Sequence, residues 1–277
     1  MPQRPQLIEP GREVVAGYRV VALLSHGRRI DTYDVYSEER DCRCVVKILR
    51  VDRRDEQRVR EALILEGTLL RDLAHPHLVR AYEVHTDPAP AIVLETLTGA
   101  TLAALIDESP LGVADSAQLG LQLVSVLSYL HTQGWLHLDV KPSNIVVESN
   151  KATLIDLSLV GKPGDGRPGA GTRGYLAPEQ AKGQNLSAAS DVWGLGVTLI
   201  ESLTGEMPHG DEATWDSKPR IRFIHRRPPK PPGQNTALPA SYDTMLRACL
   251  ERDPAHRPTL DDVRTTLIDL MQPTDPS

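Results

Sequence analysis

One eight-residue stretch, His137-Leu138-Asp139-Val140-Lys141-Pro142-Ser143-Asn144, constrains this chain more than any other. It sets a carboxylate, an ammonium and a carboxamide on a single short loop. Seventeen residues past Asp139 comes Asp156, within Leu154-Ile155-Asp156-Leu157-Ser158. The residues between them read as a hairpin: 145–147 are apolar, 148–151 polar and turn-like, 153–155 apolar again. An antiparallel hairpin returns the chain to its starting point, so the spacing predicts Asn144 and Asp156 side by side at its open end. Two oxygen donors there suit Mg2+, which takes one or two protein ligands and completes its octahedron with phosphate and water. Asp139, one loop away, is free to accept a proton from a hydroxyl. Phosphoryl transfer needs such a layout.

Composition sets the outer bounds. The 277 residues are 40% hydrophobic and 25% charged, an ordinary globular balance that suits one domain of two lobes or two small domains. The net charge of −6 and the lack of a long basic run argue against nucleic acid as a partner. No apolar run reaches membrane-spanning length, and Met1-Pro2-Gln3-Arg4-Pro5 has no apolar signal core. Three cysteines make no disulfide framework. Cys42 and Cys44 sit two apart on one face of an expected strand, with no matching Cys/His pair to complete a metal site, and read as buried or edge thiols. With aromatics at only 4%, the core must come from Leu, Val, Ile and Ala.

The pattern along the chain changes near residue 98. Residues 1–13 read as a loose, proline-rich tail. Apolar strand-like runs follow at 18–24, 32–36, 44–49, 79–84 and 91–94. A helical pattern at 53–73 carries Leu63, Leu65, Leu69, Leu70 and Leu73, and stops at His75-Pro76-His77. Five strands and one helix make a small N-terminal part (14–97). Helices dominate 98–272: 119–131 with an apolar stripe, 189–203 apolar almost all round as in a helix buried on every side, then 244–250 and 260–271. A basic proline-rich stretch at 219–232 reads as a surface loop of polyproline character, and 273–277 as a tail.

The opening loop resembles the catalytic loop of protein kinases, and further segments extend the likeness in family order. HLDVKPSN stands where the family has HRDxKxxN, Asp156-Leu157-Ser158 where it has DFG, and Ala177-Pro178-Glu179 is a complete APE segment. Ser190-Asp191-Val192-Trp193-Gly194 resembles the start of the long buried helix of the kinase C-lobe. The segment from Cys249 to Arg257-Pro258 resembles the one whose arginine pairs with the APE glutamate. The likeness covers residues 14 to about 270, in the style of eukaryotic-type (Hanks-type) bacterial serine/threonine kinases. It implies an α+β, two-lobed kinase fold: a small five-stranded antiparallel N-lobe with one helix, and a larger, mainly helical C-lobe.

The resemblance also implies roles. Lys47 would contact the α and β phosphates of ATP and pair with Glu66, nine residues before His75; Glu61, five residues earlier and on another face, is the competitor. Asp139 would orient the nucleophile, Lys141 steady the γ-phosphate as charge builds, and Thr172 contact Asp139. Asn144 and Asp156 would bind Mg2+, with Mn2+ as a possible substitute. Leu24 and Val45 would cover one face of the adenine and Val146 the other. Leu94 would be the gatekeeper, Glu95 and Leu97 would offer hinge backbone groups, and Gly27 belongs to the phosphate loop. Glu179 with Arg257 is expected as a buried ion pair, and Asp191 as the brace of the catalytic-loop backbone. All of this requires Asp139, Asn144 and Asp156 to converge beneath a cleft roofed by Lys47.

Three departures from the family stand out. The phosphate loop Leu24-Ser25-His26-Gly27-Arg28-Arg29-Ile30 keeps only Gly27 of GxGxxG, and β-branched Ile30 cannot imitate glycine. Weak or unusual ATP affinity is expected, with Arg28 and Arg29 as candidate compensators through guanidinium–phosphate contacts. Leu138 replaces the arginine that grips a phosphorylated residue in relatives, and residues 161–171 hold no Ser, Thr or Tyr. Activity is therefore expected not to be switched by activation-loop phosphorylation. Ser158 replaces the glycine of DFG, which narrows the backbone choices. The expected function is ATP- and Mg-dependent transfer to Ser/Thr hydroxyls of a protein or peptide. The alternatives are a pseudokinase scaffold with little turnover, or a kinase acting on a small molecule or biosynthetic peptide. Many bacterial relatives carry a membrane helix after the kinase domain; this chain ends at Ser277 without one and is expected to be cytoplasmic, with its oligomeric state open.

Overall fold

The computed structural model describes residues 7–209 and 238–272. The proline-rich stretch at 219–232, the tail at 273–277 and residues 1–6 lie outside the described residues. The chain divides into two compact units. One holds the described residues up to Thr98 together with Asp156–Ser158; the other holds Gly99–Ile155 and the described residues from Leu159 onward.

In the first unit, strands β1 (Glu13–Val15), β2 (Tyr18–His26), β3 (Ile30–Ser37), β4 (Cys42–Leu49), β5 (Ala81–His85) and β6 (Ala91–Glu95) form one antiparallel sheet of order β1-β2-β3-β4-β6-β5. Alternate residues supply its core: Tyr18 and Val20, Tyr33 and Val35, Cys44, Val46 and Ile48, Ala91 and Val93. That period of two is what the pleat demands. The sheet has six strands rather than the five expected, because β1 is three residues long and too short to show alternation in sequence. Residues 8–12, assigned to the tail by composition, pack here too. Ile8 lies against the core and its N–H donates to Tyr33 Oη at 3.2 Å, while Gly11 N–H donates to Val20 O at 2.8 Å.

Helix α1 (Gln57–Asp72) buries Leu63, Glu66, Gly67, Leu69 and Leu70, a face of helical period. Gly67 lets the helix approach the sheet: a Cβ there would stand 2.9 Å from Ile92 Cγ1. The helix ends at Leu73, three residues before Pro76, which disfavours helical backbone at His75.

The second unit contains β7 (Ala100–Thr101), α2 (Leu102–Glu108), α3 (Val113–Thr132), β8 (Ile145–Glu148), β9 (Lys151–Leu154), α4 (Pro178–Lys182), α5 (Ala188–Thr204), α6 (Ala240–Cys249) and α7 (Leu260–Met271). β7, β8 and β9 form a small antiparallel sheet. The hairpin β8–β9 pairs Ile145 with Leu154 and Glu148 with Lys151. Its two turn residues, Ser149 and Asn150, both have positive φ (47° and 65°), as a type I′ turn requires. α5 is buried without a break from Ser190 to Ile200. It opens on a capping box, Ser187 with Ser190, and closes at Gly205 in the left-handed conformation. Among the described residues no helix is long and apolar enough to cross a membrane.

Candidate active site

The loop from His137 to Asn144 is held from behind. Asp191, buried in the first turn of α5, accepts hydrogen bonds from His137 N–H (2.8 Å) and Leu138 N–H (2.7 Å), and its Oδ2 also meets His131 Nε2 at 2.8 Å. Leu138 adopts φ +63°, a left-handed backbone that costs a non-glycine residue on the order of 1–3 kcal/mol and persists only where neighbours impose it. Its N–H goes to Asp191, and its carbonyl accepts from Gln180 Nε2 at 2.6 Å.

Held in this way, the loop presents Asp139 within a closed set of partners. Asp139 Oδ1 accepts from Thr172 Oγ1 (2.8 Å) and Thr172 N–H (3.1 Å). Oδ2 lies 2.7 Å from Lys141 Nζ and accepts from Asn144 Nδ2 at 3.0 Å. Lys141 Nζ also donates to Thr172 Oγ1 at 2.5 Å, and Asn144 Nδ2 to the Asp139 carbonyl at 2.9 Å. The structure thus brings together four of the sequence-predicted residues, Asp139, Lys141, Asn144 and Thr172, in one hydrogen-bonded cluster. Such a cluster fixes a carboxylate beside an ammonium, the pairing that a hydroxyl nucleophile and a transferring phosphoryl group require. Val146, on β8, is buried next to it in sequence.

A second cluster belongs to the first unit. Lys47, on β4, donates to Glu66 Oε1 at 2.5 Å and to Asp156 Oδ2 at 3.0 Å. Glu66 comes from the buried face of α1, and its Oε1 also accepts from Leu157 N–H at 3.3 Å. Glu61 is exposed and is instead the acceptor for Gln57 Nε2. One ammonium facing two carboxylates cannot hold both at ordinary values. Burial pushes Glu66 up, to about 7, against the pull of Lys47. Burial opposes the charge on Asp156 as well, but Lys47 and the hydrogen bonds from Ser158 outweigh it and hold that carboxyl well below the usual range. Burial likewise disfavours the Lys47 charge, yet attraction to Glu66 and Asp156 prevails and holds the ammonium above its ordinary range.

The turn joining β2 to β3 is Gly27-Arg28-Arg29. Gly27 N–H donates to Ile30 O at 3.0 Å, and a Cβ on Gly27 would lie 2.5 Å from that oxygen, so the one retained glycine is required by close approach. Leu24, an unpaired step in the β2–β3 register, is exposed. The base of the turn is cross-braced from outside. Arg50 Nη1 donates to Gly27 O at 2.9 Å and sits 3.1 Å from His26 Nε2; His26 Nδ1 is 2.7 Å from Asp31 Oδ1; and Asp52 anchors Arg50 Nε at 2.9 Å. Arg29 is committed to Glu56 at 3.1 Å, whereas exposed Arg28 has no hydrogen-bonding or ionic partner among the described residues. Sequence reading missed Arg50 because its contacts reach 23 and 24 residues away in the chain, to Gly27 and His26.

The expected adenine residues of this unit lie on neighbouring strands. Val45 and Leu94 are cross-strand partners, and Leu94 is buried. Glu95 N–H is already bonded to Arg80 O, and its carboxylate takes Arg80 N–H. Leu97 N–H has no acceptor among the described residues, which leaves a backbone donor for a nucleobase edge. Each unit carries an oxygen donor of the kind a hard divalent cation takes. Asn144 supplies an amide oxygen that nothing described engages, and Asp156 a carboxylate ionised across the physiological range. Among the described residues there is no group of three or more His, Cys, Asp or Glu that could hold a metal ion.

The second unit also holds the buried ion pair Glu179–Arg257, at 2.7 and 2.9 Å, with Ser190 Oγ donating to the same carboxylate. A curled antiparallel sheet carrying a Lys–Glu pair, and a helical unit carrying an Asp–Lys–Asn–Thr cluster braced by a helix aspartate, together define a class. The chain belongs to the protein kinase domain family, whose pattern matches residues 18–267. It is 31% identical over 240 residues to the serine/threonine-protein kinase PknB of Mycobacterium tuberculosis, covering 80% of this chain and 38% of that protein. It is 25% identical over 258 residues to the serine/threonine-protein kinase PrkC of Bacillus subtilis, covering 89% and 39%. The chain therefore spans well under half the length of these curated relatives.

Proposed function

We propose that this chain transfers the γ-phosphoryl group of ATP to serine or threonine hydroxyls of a protein or peptide, with Mg2+ as the divalent ion. The observation that carries this reading is the Asp139 carboxylate, fixed by Thr172 on one oxygen and by Lys141 and Asn144 on the other. Asp139 orients the acceptor hydroxyl and takes up its proton. Lys141, 2.7 Å from that carboxylate, meets the charge that builds on the transferring group. Lys47 grips the α and β phosphates, with Glu66 keeping its ammonium in place. Asn144 and Asp156 hold the divalent ion, which when bound neutralises phosphate charge. Adenine is received by Leu24, Val45, Leu94 and Val146, with Glu95 and Leu97 as the hinge.

Likeness to PknB and PrkC, both named serine/threonine-protein kinases, supports the choice of hydroxyl acceptor. Lysine at 141 is also the serine/threonine pattern. Leu138 carries no charge to grip a phosphate and residues 161–171 offer no hydroxyl to modify, so transfer proceeds without activation-loop phosphorylation. Radiolabelled ATP with Mg2+ or Mn2+ and a generic acceptor protein tests this reading, run beside Asp139→Asn. Label on the acceptor that disappears in the variant supports it; equal label in both overturns it. The rebuilt turn at Gly27 favours one second reading, a nucleotide-binding scaffold. Mg-ATP binding without transfer by the wild-type chain would select it.

A further inference from the structure

Gln180 is the first residue after the APE segment and lies on α4, buried to 3% exposure. Its side-chain nitrogen has two N–H bonds, and both are used. One reaches the Leu138 carbonyl at 2.6 Å, the other the Ala170 carbonyl at 2.8 Å. A single neutral carboxamide thus ties the catalytic loop to the segment that follows Asp156-Leu157-Ser158. Gly171, at φ +141°, is shaped to this contact: a Cβ there would stand 2.8 Å from Gln180 Nε2 and 2.4 Å from Leu176 Cδ2. α4 is itself immobilised, since Glu179, the preceding residue, is the buried partner of Arg257.

We propose that Gln180 is a positioning residue that keeps Asp139 in its working orientation by pinning the Leu138 peptide, in place of a phosphate-dependent grip. This deepens, and rests on, the phosphoryl-transfer reading. Leu138 sits in a left-handed conformation that it would leave if free. Asp191 secures the N–H side of that residue and Gln180 the carbonyl side. The carbonyl of Leu138 belongs to the same peptide plane as the N–H of Asp139, so fixing one fixes the other. In this chain residue 138 has no charge and residues 161–171 have no hydroxyl. A permanent amide does the work with nothing to add or remove. The rest of the segment is fastened largely by backbone, Gly161 with Leu136, Gly164 with Leu186, Gly166 with Gly183, and Gly169 with Gln180 O, helped by Asp165 accepting from Asn185 N–H and Lys162 lying over the Trp135 ring.

The test uses the full chain carrying Gln180→Met, which keeps the side-chain length and removes both donors. Two quantities are read: amide hydrogen exchange in peptides covering 137–140 and 161–171, and kcat against the KM for ATP. Exchange in both peptides should quicken by about tenfold, and kcat should fall about tenfold or more while the KM for ATP stays within about twofold. Gln180→Glu, which turns an oxygen toward two carbonyls, should lose more. Wild-type exchange and wild-type kcat in the methionine variant would overturn the proposal. If the wild-type chain transfers no phosphate, the phosphoryl-transfer reading fails, and exchange alone then decides whether the amide pins these two segments. If the methionine variant does not fold, Gln180→Asn, which keeps the amide but shortens its reach, is read by the same two measurements.

Discussion

The catalytic loop and the β2–β3 turn are both loops that the family assigns to phosphate chemistry, and this chain treats them in opposite ways. The catalytic loop keeps its polar residues, and both carboxylate oxygens of Asp139 are engaged by neighbours close in space. The turn has lost two of its three glycines and is held at its base by a side-chain brace from Arg50, His26, Asp31 and Asp52. The difference teaches where substitution is tolerated. A group that must meet a reacting atom has one acceptable geometry, whereas a cradle made of backbone can be rebuilt with other supports if the chain still turns tightly at Gly27.

The comparison breaks most sharply at Asp139. Asp139→Asn should lower kcat by about 10²–10⁴ while Mg-ATP binding, followed by titration, is retained. Equal loss of binding would mean that the two loops are not separable in role. Next comes the frame behind the catalytic loop. Arg257→Leu strands the Glu179 carboxylate in the interior and should cost about 3–5 kcal/mol in urea unfolding. On the other side of the comparison, Arg50→Met should raise the KM for ATP roughly fivefold, the loss of about one net hydrogen bond, and leave kcat nearly unchanged. A fall in kcat instead would show that the brace serves the chemistry and not the cradle.

The Lys47 cluster gives a smaller, pH-dependent effect. Glu66 binds its proton more tightly folded than unfolded, with a value raised from 4.5 to about 7. Its contribution to stability is complete below the unfolded value and is lost as pH rises through the folded one. Without nucleotide or divalent ion, the thermal midpoint should fall between about pH 5 and pH 7.5, and Glu66→Gln should flatten that fall. The least effect is expected at the tip of the turn. Arg28→Ala should raise the KM for ATP about twofold, in keeping with an exposed charge, and Arg29→Ala less, because Arg29 is already paired with Glu56. No change at Arg28 would remove it as a compensator.

Much of this architecture could be read from sequence where a pattern repeats or a spacing is short. The hairpin at 145–154 follows from alternation, and α5 from an apolar run without a polar face. The pairing of Lys47 with Glu66 rather than Glu61 follows from the resemblance to kinases, through the family's spacing to His75-Pro76. What stayed hidden has no periodic signal. β1 is three residues of Glu-Val-Val whose pairing depends on β2, and α2 and α4, of seven and five residues, are too short to carry a stripe. Gln180 and Arg50 look like ordinary polar residues on a helix and at a strand end. Only the fold reveals that one reaches Leu138, 42 residues earlier, and the other Gly27, 23 residues earlier.

Gln122, on α3, reads the register of the β8–β9 hairpin. Its Oε1 accepts from Ala152 N–H at 2.6 Å and its Nε2 donates to Asn150 O at 2.8 Å. The helix thereby gauges the hairpin from its closed tip. A slip of one residue in that ribbon would turn Ile145 or Leu154 outward and move Asn144 by one place relative to Ile155, whose N–H it accepts at 3.0 Å. A residue on α3 thus calibrates where the Asn144 amide arrives. Insertions into the Ser149–Asn150 corner should be judged by that ruler rather than by their exposure.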